Sequence, residues 1–261
     1  MIGEVVYSLR AKNSTQLPCI NGRLMHAAFF NVLNEFSPEL GKFIHSRLNL
    51  KPFTVSFLNP AANIPSSGER WEIRRGDKFF WRVTGLNAQI LQTLSNLSRG
   101  YEIRAGALTL SVENVNANIV AVADFISRCK NMSPVKELCL EFVSPVSFRI
   151  DDFDAPYPRA ELIFASLADK WTQAEMPAVA DKKIIRELAA QIRLTQWHGQ
   201  SKKFYFGRDR GTLAFWGKFF YDLKALSEDV RKVFVLLAKF GEFSGVGRLT
   251  GQGFGQVRAS Y

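Results

Sequence analysis

Three histidines, His26, His45 and His198, are the only imidazoles in the chain, and imidazole is the side chain best suited to exchanging a proton near neutral pH. A reaction that needs a base for an attacking hydroxyl and an acid for a departing oxygen would draw on them. His26 has the most favourable place. At about 100° per residue, Met25, Phe29, Val32 and Phe36 form the buried stripe of a helix, and His26 points roughly 90° from its centre, on the border between core and solvent. Packing can hold a ring there while one nitrogen stays open, although a half-buried structural histidine would produce the same pattern. Arg23, one turn earlier, lies on the adjoining exposed side and could meet the same phosphate. His45, in Phe43-Ile44-His45-Ser46-Arg47, is the reserve candidate; His198, between Trp197 and Gly199, reads as binding surface or turn. No metal is expected: the histidines are scattered, and Cys19, Cys129 and Cys139 contain no C-x-x-C pair. Asp151, Asp152 and Asp154 could hold Mg²⁺ but read better as a turn ahead of a helix.

The second chemical feature is a glycine loop, Gly245-Val246-Gly247-Arg248-Leu249-Thr250-Gly251-Gln252-Gly253-Phe254-Gly255, with five glycines in eleven residues. Without Cβ atoms, its backbone N–H groups could approach a phosphate; the alternative is a turn that makes room for close packing. It matches neither G-x-G-x-x-G nor G-x-x-x-x-G-K-[ST], and it runs from helix to strand rather than strand to helix. ATP, NAD and other nucleotide cofactors are therefore not expected. Between Trp197 and Tyr221, Lys202, Lys203, Arg208, Arg210 and Lys218 interleave with Phe204, Tyr205, Phe206, Phe215 and Trp216. Such a hairpin can neutralise phosphates with one set and stack bases with the other. Alternation turns most of the rings into core, so Lys202, Lys203, Arg208, Arg210 and Arg248 are the expected nucleic-acid contacts, together with Gly245, Gly247, Gly251, Gly253 and Gly255.

The overall balance agrees with a polyanionic partner. The chain has 261 residues, 34 Lys plus Arg against 24 Asp plus Glu, and a net charge of +10, with a pI near 9.6; nucleic acid is the first candidate and an anionic membrane surface the second. The excess concentrates between Lys182 and Lys218, with nine basic residues against Glu187 and Asp209. The longest apolar stretch, Val233 to Ala238, is far short of a membrane span. No disulfide framework and no export signal are read, which places the chain in a reducing cytoplasm.

These residues need elements to position them, and the hydrophobic periods supply an order. Glu4 to Lys12 alternates as a strand. Arg23 to about Leu48 is helical with a break near Ser37-Pro38, Phe53–Leu58 and Lys78–Thr84 are strands, Asn87–Leu97 is an amphipathic helix, and Tyr101–Asn114 is a strand. The second half repeats the order. It has a strand from Lys136 to Phe148 interrupted at Ser144-Pro145, a helix from Arg159 to about Ala174 and a helical insertion at Asp181–Ala190. Strands near Ile192–Trp197 and Thr212–Phe220 follow, then a helix at Glu228–Phe240 capped by Ser227, and a last strand at Phe254–Ser260. Strand-helix-strand-strand-helix-strand twice over predicts an α+β chain of tandem ferredoxin-like (RRM-like) domains, 1–132 and 133–261. Such sheets leave a face open, and RNA-binding proteins use it.

Taken together, the C-terminal helix, the G-x-G-x-x-T-x-x-G-F-G-x-V run and the last strand resemble the glycine-rich signature of the RAMP superfamily of CRISPR systems. Within it the chain most resembles the pre-crRNA processing endoribonucleases, the sixth CRISPR-associated family. Phe142-Val143-Ser144-Pro145-Val146-Ser147-Phe148 is similar to that family's mid-chain strand. Pro158-Arg159 through Phe164, Leu167 and Trp171 is similar to its following helix, and Leu24-Met25-His26-Ala27-Ala28 to its helix with a catalytic histidine. The resemblance implies tandem ferredoxin-like folds and metal-independent cleavage of CRISPR repeat RNA by 2′-OH attack, leaving a 2′,3′-cyclic phosphate and a 5′-OH. It also implies a prokaryotic cytoplasmic setting and other CRISPR effector subunits as further partners. Two alternatives stay open: a non-catalytic RAMP subunit that grips crRNA in an effector complex, and a general RNA-binding module.

Overall fold

The protein is described from a computed structural model that covers residues 1–46, 51–133, 135–177, 179, 181–205 and 211–261. It forms two compact units, Met1–Val120 with Gly251–Gly253, and Ala121–Thr250 with Phe254–Tyr261.

The first unit begins with β1 (Ile2–Ala11), whose alternation buries Val5, Tyr7, Leu9 and Ala11. After β2 (Thr15–Pro18) come α1 (Gly22–Phe36) and α2 (Pro38–Ser46). They are separated at Ser37, which leaves helical geometry at φ −155° and ψ 76°; proline then starts the new helix, where no amide hydrogen is needed. Strands β3 (Phe53–Val55), β4 (Asn59–Pro60), β5 (Ser66–Ser67), β6 (Arg70–Ile73) and β7 (Lys78–Gly85) follow. Helix α3 (Ala88–Ser95) is capped by the Asn87 side chain, which accepts from the amides of Gln89 and Ile90. Hairpin β8 (Glu102–Ala105) and β9 (Leu108–Val120) closes the unit, turning at Gly106 with φ +63°.

The main sheet runs β3-β7-β1-β9-β8, antiparallel throughout. Setting aside the β8 edge, chain order maps onto space as second, third, first, fourth strand, the split βαβ arrangement of a ferredoxin-like fold. Tyr7 ties layer to layer. It stacks on Trp81 at 5.4 Å between centroids and donates its hydroxyl to Leu94 O of α3 at 2.7 Å, so its buried polar end is satisfied.

The second unit opens with α4 (Val122–Lys130), β10 (Glu137–Val146) and the small hairpin β11 (Phe148–Ile150) and β12 (Phe153–Ala155). Helices α5 (Ala160–Gln173) and α6 (Lys182–Ala189), strands β13 (Arg193–Tyr205) and β14 (Gly211–Asp222), helix α7 (Glu228–Ser244) and β15 (Val257–Ser260) complete it. A short 3-10 turn, Thr250–Gln252, lies between the last two. Its sheet is β13-β14-β10-β15, again second, third, first, fourth. The tandem ferredoxin-like α+β reading therefore holds in both units. The core beneath is aromatic, with Phe164 against Phe234 at 4.6 Å and Trp171 against Phe240 at 5.0 Å.

Several local expectations need correction. The strand expected at Tyr101–Asn114 is the β8–β9 hairpin. Helix α4 lies where no helix is expected, and buries only Phe125 and Cys129. Strand β13 extends eight residues past Trp197 to Tyr205 because its polar residues pair with β14 rather than forming a loop. Ser227 precedes α7 in extended backbone, but its side chain makes no capping bond.

The β13–β14 hairpin crosses itself tightly where Gly199 pairs with Gly217. Gly217 has φ +128°, and a Cβ there would lie 2.2 Å from His198 O; both the angle and the space demand glycine. Gly217→Ala should destabilise the protein in urea unfolding by more than about 2 kcal/mol. Gly68→Ala, at φ +60° in open space, should cost only about 1 kcal/mol. Equal costs would mean that the contact, as distinct from the angle, is unimportant.

Candidate active site

Helix α1 begins where a buried asparagine gathers three chain segments. Asn21 Oδ1 accepts from Leu58 N at 2.8 Å, its Nδ2 reaches Pro18 O and Cys19 O at 3.4 Å each, and its backbone carbonyl accepts from the amides of Leu24 and Met25. Gly22 then sits so close to the Gly251–Gly253 segment of the same unit that a Cβ would fall 1.8 Å from Gln252 O. One turn further, His26 Nδ1 lies 2.7 Å from Gly251 O.

A carbonyl can only accept, so Nδ1 carries the hydrogen and the neutral ring keeps its lone pair on Nε2. The ring is held by Phe30, edge-on at 5.0 Å, and Phe53, stacked at 5.9 Å. Burial pushes the His26 pKa below the usual imidazole value; the bond to Gly251 opposes this, and the charges of Lys51 and His45 add to it. The neutral form, a base at Nε2, is therefore favoured at pH 7.

His45, in the last turn of α2, also packs edge-on against Phe30, at 5.5 Å. Both histidines line one cleft of about 540 Å³, with Asn31, Asn34, Lys42 and Ser46 on its walls. The reserve candidate thus joins the first. Sequence spacing could not show this, because the turn between α1 and α2 brings the two rings to a common neighbour. Lys51 Nζ donates to Ile44 O and His45 O at 3.1 Å each, satisfying carbonyls at the end of α2. Arg23 is exposed in the first turn of α1, three residues before His26.

The glycine loop is built from the inside. Within the second unit, Gly247 N donates to Ser166 Oγ at 3.0 Å, Arg248 N to Ser147 O at 3.0 Å and Gly255 N to Pro145 O at 2.8 Å. Gln256 N donates to Ser144 Oγ at 2.9 Å. The Ser144-Pro145 interruption of β10 thus presents acceptors to the loop. Gly245 N donates to Gly241 O, at the end of α7. The amides of Gly245, Gly247 and Gly255 are therefore spent on the protein, a departure from a bare phosphate cradle. Close packing explains these glycines better: a Cβ on Gly255 would meet Val246 O at 2.2 Å, and one on Gly253, within the first unit, Phe57 Cδ1 at 2.5 Å. Buried Lys170 donates to Ser244 O and Gly245 O at 3.1 and 3.0 Å, and burial lowers its pKa to about 7.

Of the expected RNA contacts, Lys202 and Lys203 are exposed on β13. Arg208 and Arg210 lie outside the described residues. Arg248 pairs with Asp154 at 3.1 Å, and Asp154 also accepts from Leu213 N. Asp151 forms the β11–β12 turn at φ +53°, and Asp152 pairs with Arg149, so the acidic run serves turn and pairing. Among the described residues no three His, Cys, Asp or Glu side chains come together as a metal set. His198, exposed on β13, meets Gln196 Nε2 at 2.8 Å through its Nε2. Sequence reasoning missed Asn21 as an anchor and Gly22 as a contact; a glycine at the first helical position, where better helix formers abound, was the available sign.

Comparison with known proteins bears on the whole chain. Residues 2–123 match the family described as CRISPR Cas6 N-terminal domain, and residues 140–257 match CRISPR-associated endoribonuclease Cas6. A curated relative, the CRISPR-associated endoribonuclease Cas6 of Mycobacterium tuberculosis, is 24% identical over 183 residues, 68% of this chain. The chain spans 58% of that relative's length. Among solved structures, a Cas6 product complex superposes with a TM-score of 0.77 at 23% identity, covering 100% of both chains. Thermus thermophilus Cas6 gives a TM-score of 0.72 at 22% identity, over 100% of this chain and 98% of its own.

The geometry makes two predictions. Nitrogen-15 NMR should find His26 protonated at Nδ1 and open at Nε2 at pH 7, titrating below about 6.5; a titration above that value would contradict the burial argument. The sign for stability follows: a depressed folded pKa gives a contribution present above about pH 6.5 that is lost as pH falls through the folded value. Gly22→Ala, by displacing Gln252, should break the bond to Gly251 and remove the fixed tautomer while α1 remains helical.

Proposed function

This chain belongs to the Cas6 family, and from that premise we propose that it cuts CRISPR repeat RNA without a metal, in the cytoplasm of a prokaryote. The observation that carries the reading is the His26 Nδ1–Gly251 bond, which leaves Nε2 as a base in a cleft shared with His45. In the reaction, His26 Nε2 takes the proton of a ribose 2′-OH and the oxygen attacks the adjacent phosphorus. The bond to the 5′ oxygen breaks as His45 gives that oxygen a proton. The upstream product keeps a 2′,3′-cyclic phosphate and the downstream product a 5′-OH. The two histidines then exchange protons with water, and no metal enters the balance.

Arg23 and Lys42 supply positive charge for the pentavalent phosphorus. Lys202 and Lys203, and Arg208 and Arg210 beyond the described residues, track phosphates elsewhere on the RNA. Arg248, tied to Asp154, and the glycines Gly245, Gly247, Gly251, Gly253 and Gly255 act chiefly by shaping the loop that holds His26. Other CRISPR effector subunits are the further partners in this reading. Among the described residues no helix is long and apolar enough to cross a membrane.

Purified protein given repeat RNA in excess EDTA should cut at one site and leave a 5′-OH. His26→Ala should slow cleavage by about 100-fold or more with little change in binding. His45→Ala should slow it less, because solvent can partly replace an exposed acid. A 2′-deoxy nucleotide upstream of the cut should stop the reaction, since the nucleophile is gone. The acid limb of the pH–rate profile should rise as pH climbs through the lowered His26 pKa. Strict dependence on Mg²⁺ would overturn the mechanism, and binding without cleavage of any repeat would favour a crRNA-holding subunit.

A further inference from the structure

Strand β13 ends its sheet, and every one of its thirteen residues except Phe204 is exposed. It carries Arg193, His198, Lys202 and Lys203 and no acidic residue. In its middle stands Trp197, a large aromatic side chain that is 57% exposed.

Its setting is ordered. Trp197 pairs across the ladder with Phe219, and the two rings lie parallel within 4°, with centroids 6.3 Å apart. Phe219 is buried and wedged by Phe215 at 5.5 Å and Phe142 at 5.7 Å. The next rung on the same face is Gly199–Gly217. A Cβ on Gly199 would meet Phe219 Cζ at 2.8 Å, so glycine there is what lets the Phe219 ring lie where it backs the indole. The result is a large π-surface fixed from behind and open on its outer side, so little side-chain freedom is lost when something stacks on it.

We propose that Trp197 is a base-stacking platform for one unpaired nucleotide of the bound RNA, an inference that rests on the RNA-processing reading. An exposed indole could also serve a protein interface. The unbroken positive character of β13 favours a polyanion, and an aromatic beside cations is the arrangement that binds single strands. Lysines along the strand take the phosphates and the indole takes a base.

The test uses the full chain and a repeat RNA made uncleavable by a 2′-deoxy substitution. Native protein must bind this RNA; absence of binding overturns the RNA reading itself. Trp197→Ala should then weaken binding by roughly 5- to 150-fold, with the slope against log salt unchanged because no phosphate contact is lost. Lys202→Ala with Lys203→Ala should instead flatten that slope. Trp197→Phe should keep most of the affinity and Trp197→Leu should not, which separates stacking from apolar filling. In a scan of single abasic positions, one should weaken the native protein and have no further effect in Trp197→Ala. Unchanged affinity of Trp197→Ala, equal behaviour of the Phe and Leu variants, or no coupled abasic position overturns the platform. If affinity is unchanged while the alanine variant loses self-association in sedimentation, the patch belongs to a second copy instead.

Discussion

The hydrogen bond between His26 Nδ1 and the carbonyl of Gly251 connects a helix near the start of the chain to a loop near its end, 225 residues away. It decides the tautomer, and the tautomer decides which nitrogen can do chemistry. A backbone carbonyl is a suitable partner because it cannot titrate, so the ring's orientation does not depend on a second group's charge state. The cost is borne by the sequence around it. Asn21 must anchor the helix start, Gly22 must omit its side chain, and the loop must present one carbonyl at a fixed place while the amides of Gly245, Gly247, Arg248 and Gly255 find acceptors.

That last demand explains the interruption of β10. Ser144 and Pro145 break the pairing of β10 with β14, where register shifts between Phe142 and Val146. There Pro145 O accepts from Gly255 N and Ser144 Oγ from Gln256 N, and just past the strand Ser147 O accepts from Arg248 N. Taken alone, a proline in a central strand looks like a fault. Beside a glycine loop with unpaired donors it supplies the missing half of a hydrogen-bond ladder.

Much of this could be read in advance. The order of the main elements followed from apolar periods, since most helices and strands bury one face, and the tandem fold followed from the order. The border position of His26 was readable from spacing, but its catalytic role rested on the family resemblance. What escaped depended on contacts between distant segments. His45 beside Phe30 has no signature within a short window, and Gly22 against Gln252 has only the oddity of a glycine at a helix start. The loop glycines carried two meanings, an anion cradle or tight packing, and only the partners of their amides could separate them. Helix α4 escaped because no side-chain cap marks its start, Ala121 standing at its N-cap.

Strand β13 has one more consequence. An outermost strand of thirteen residues presents a row of backbone donors and acceptors that any other extended chain could complete, the template from which unwanted sheets grow. Lys202 and Lys203 blunt it by setting like charges against like when two copies approach. If these lysines also follow RNA phosphates as proposed, replacing them to weaken binding would open the edge to aggregation at the same time.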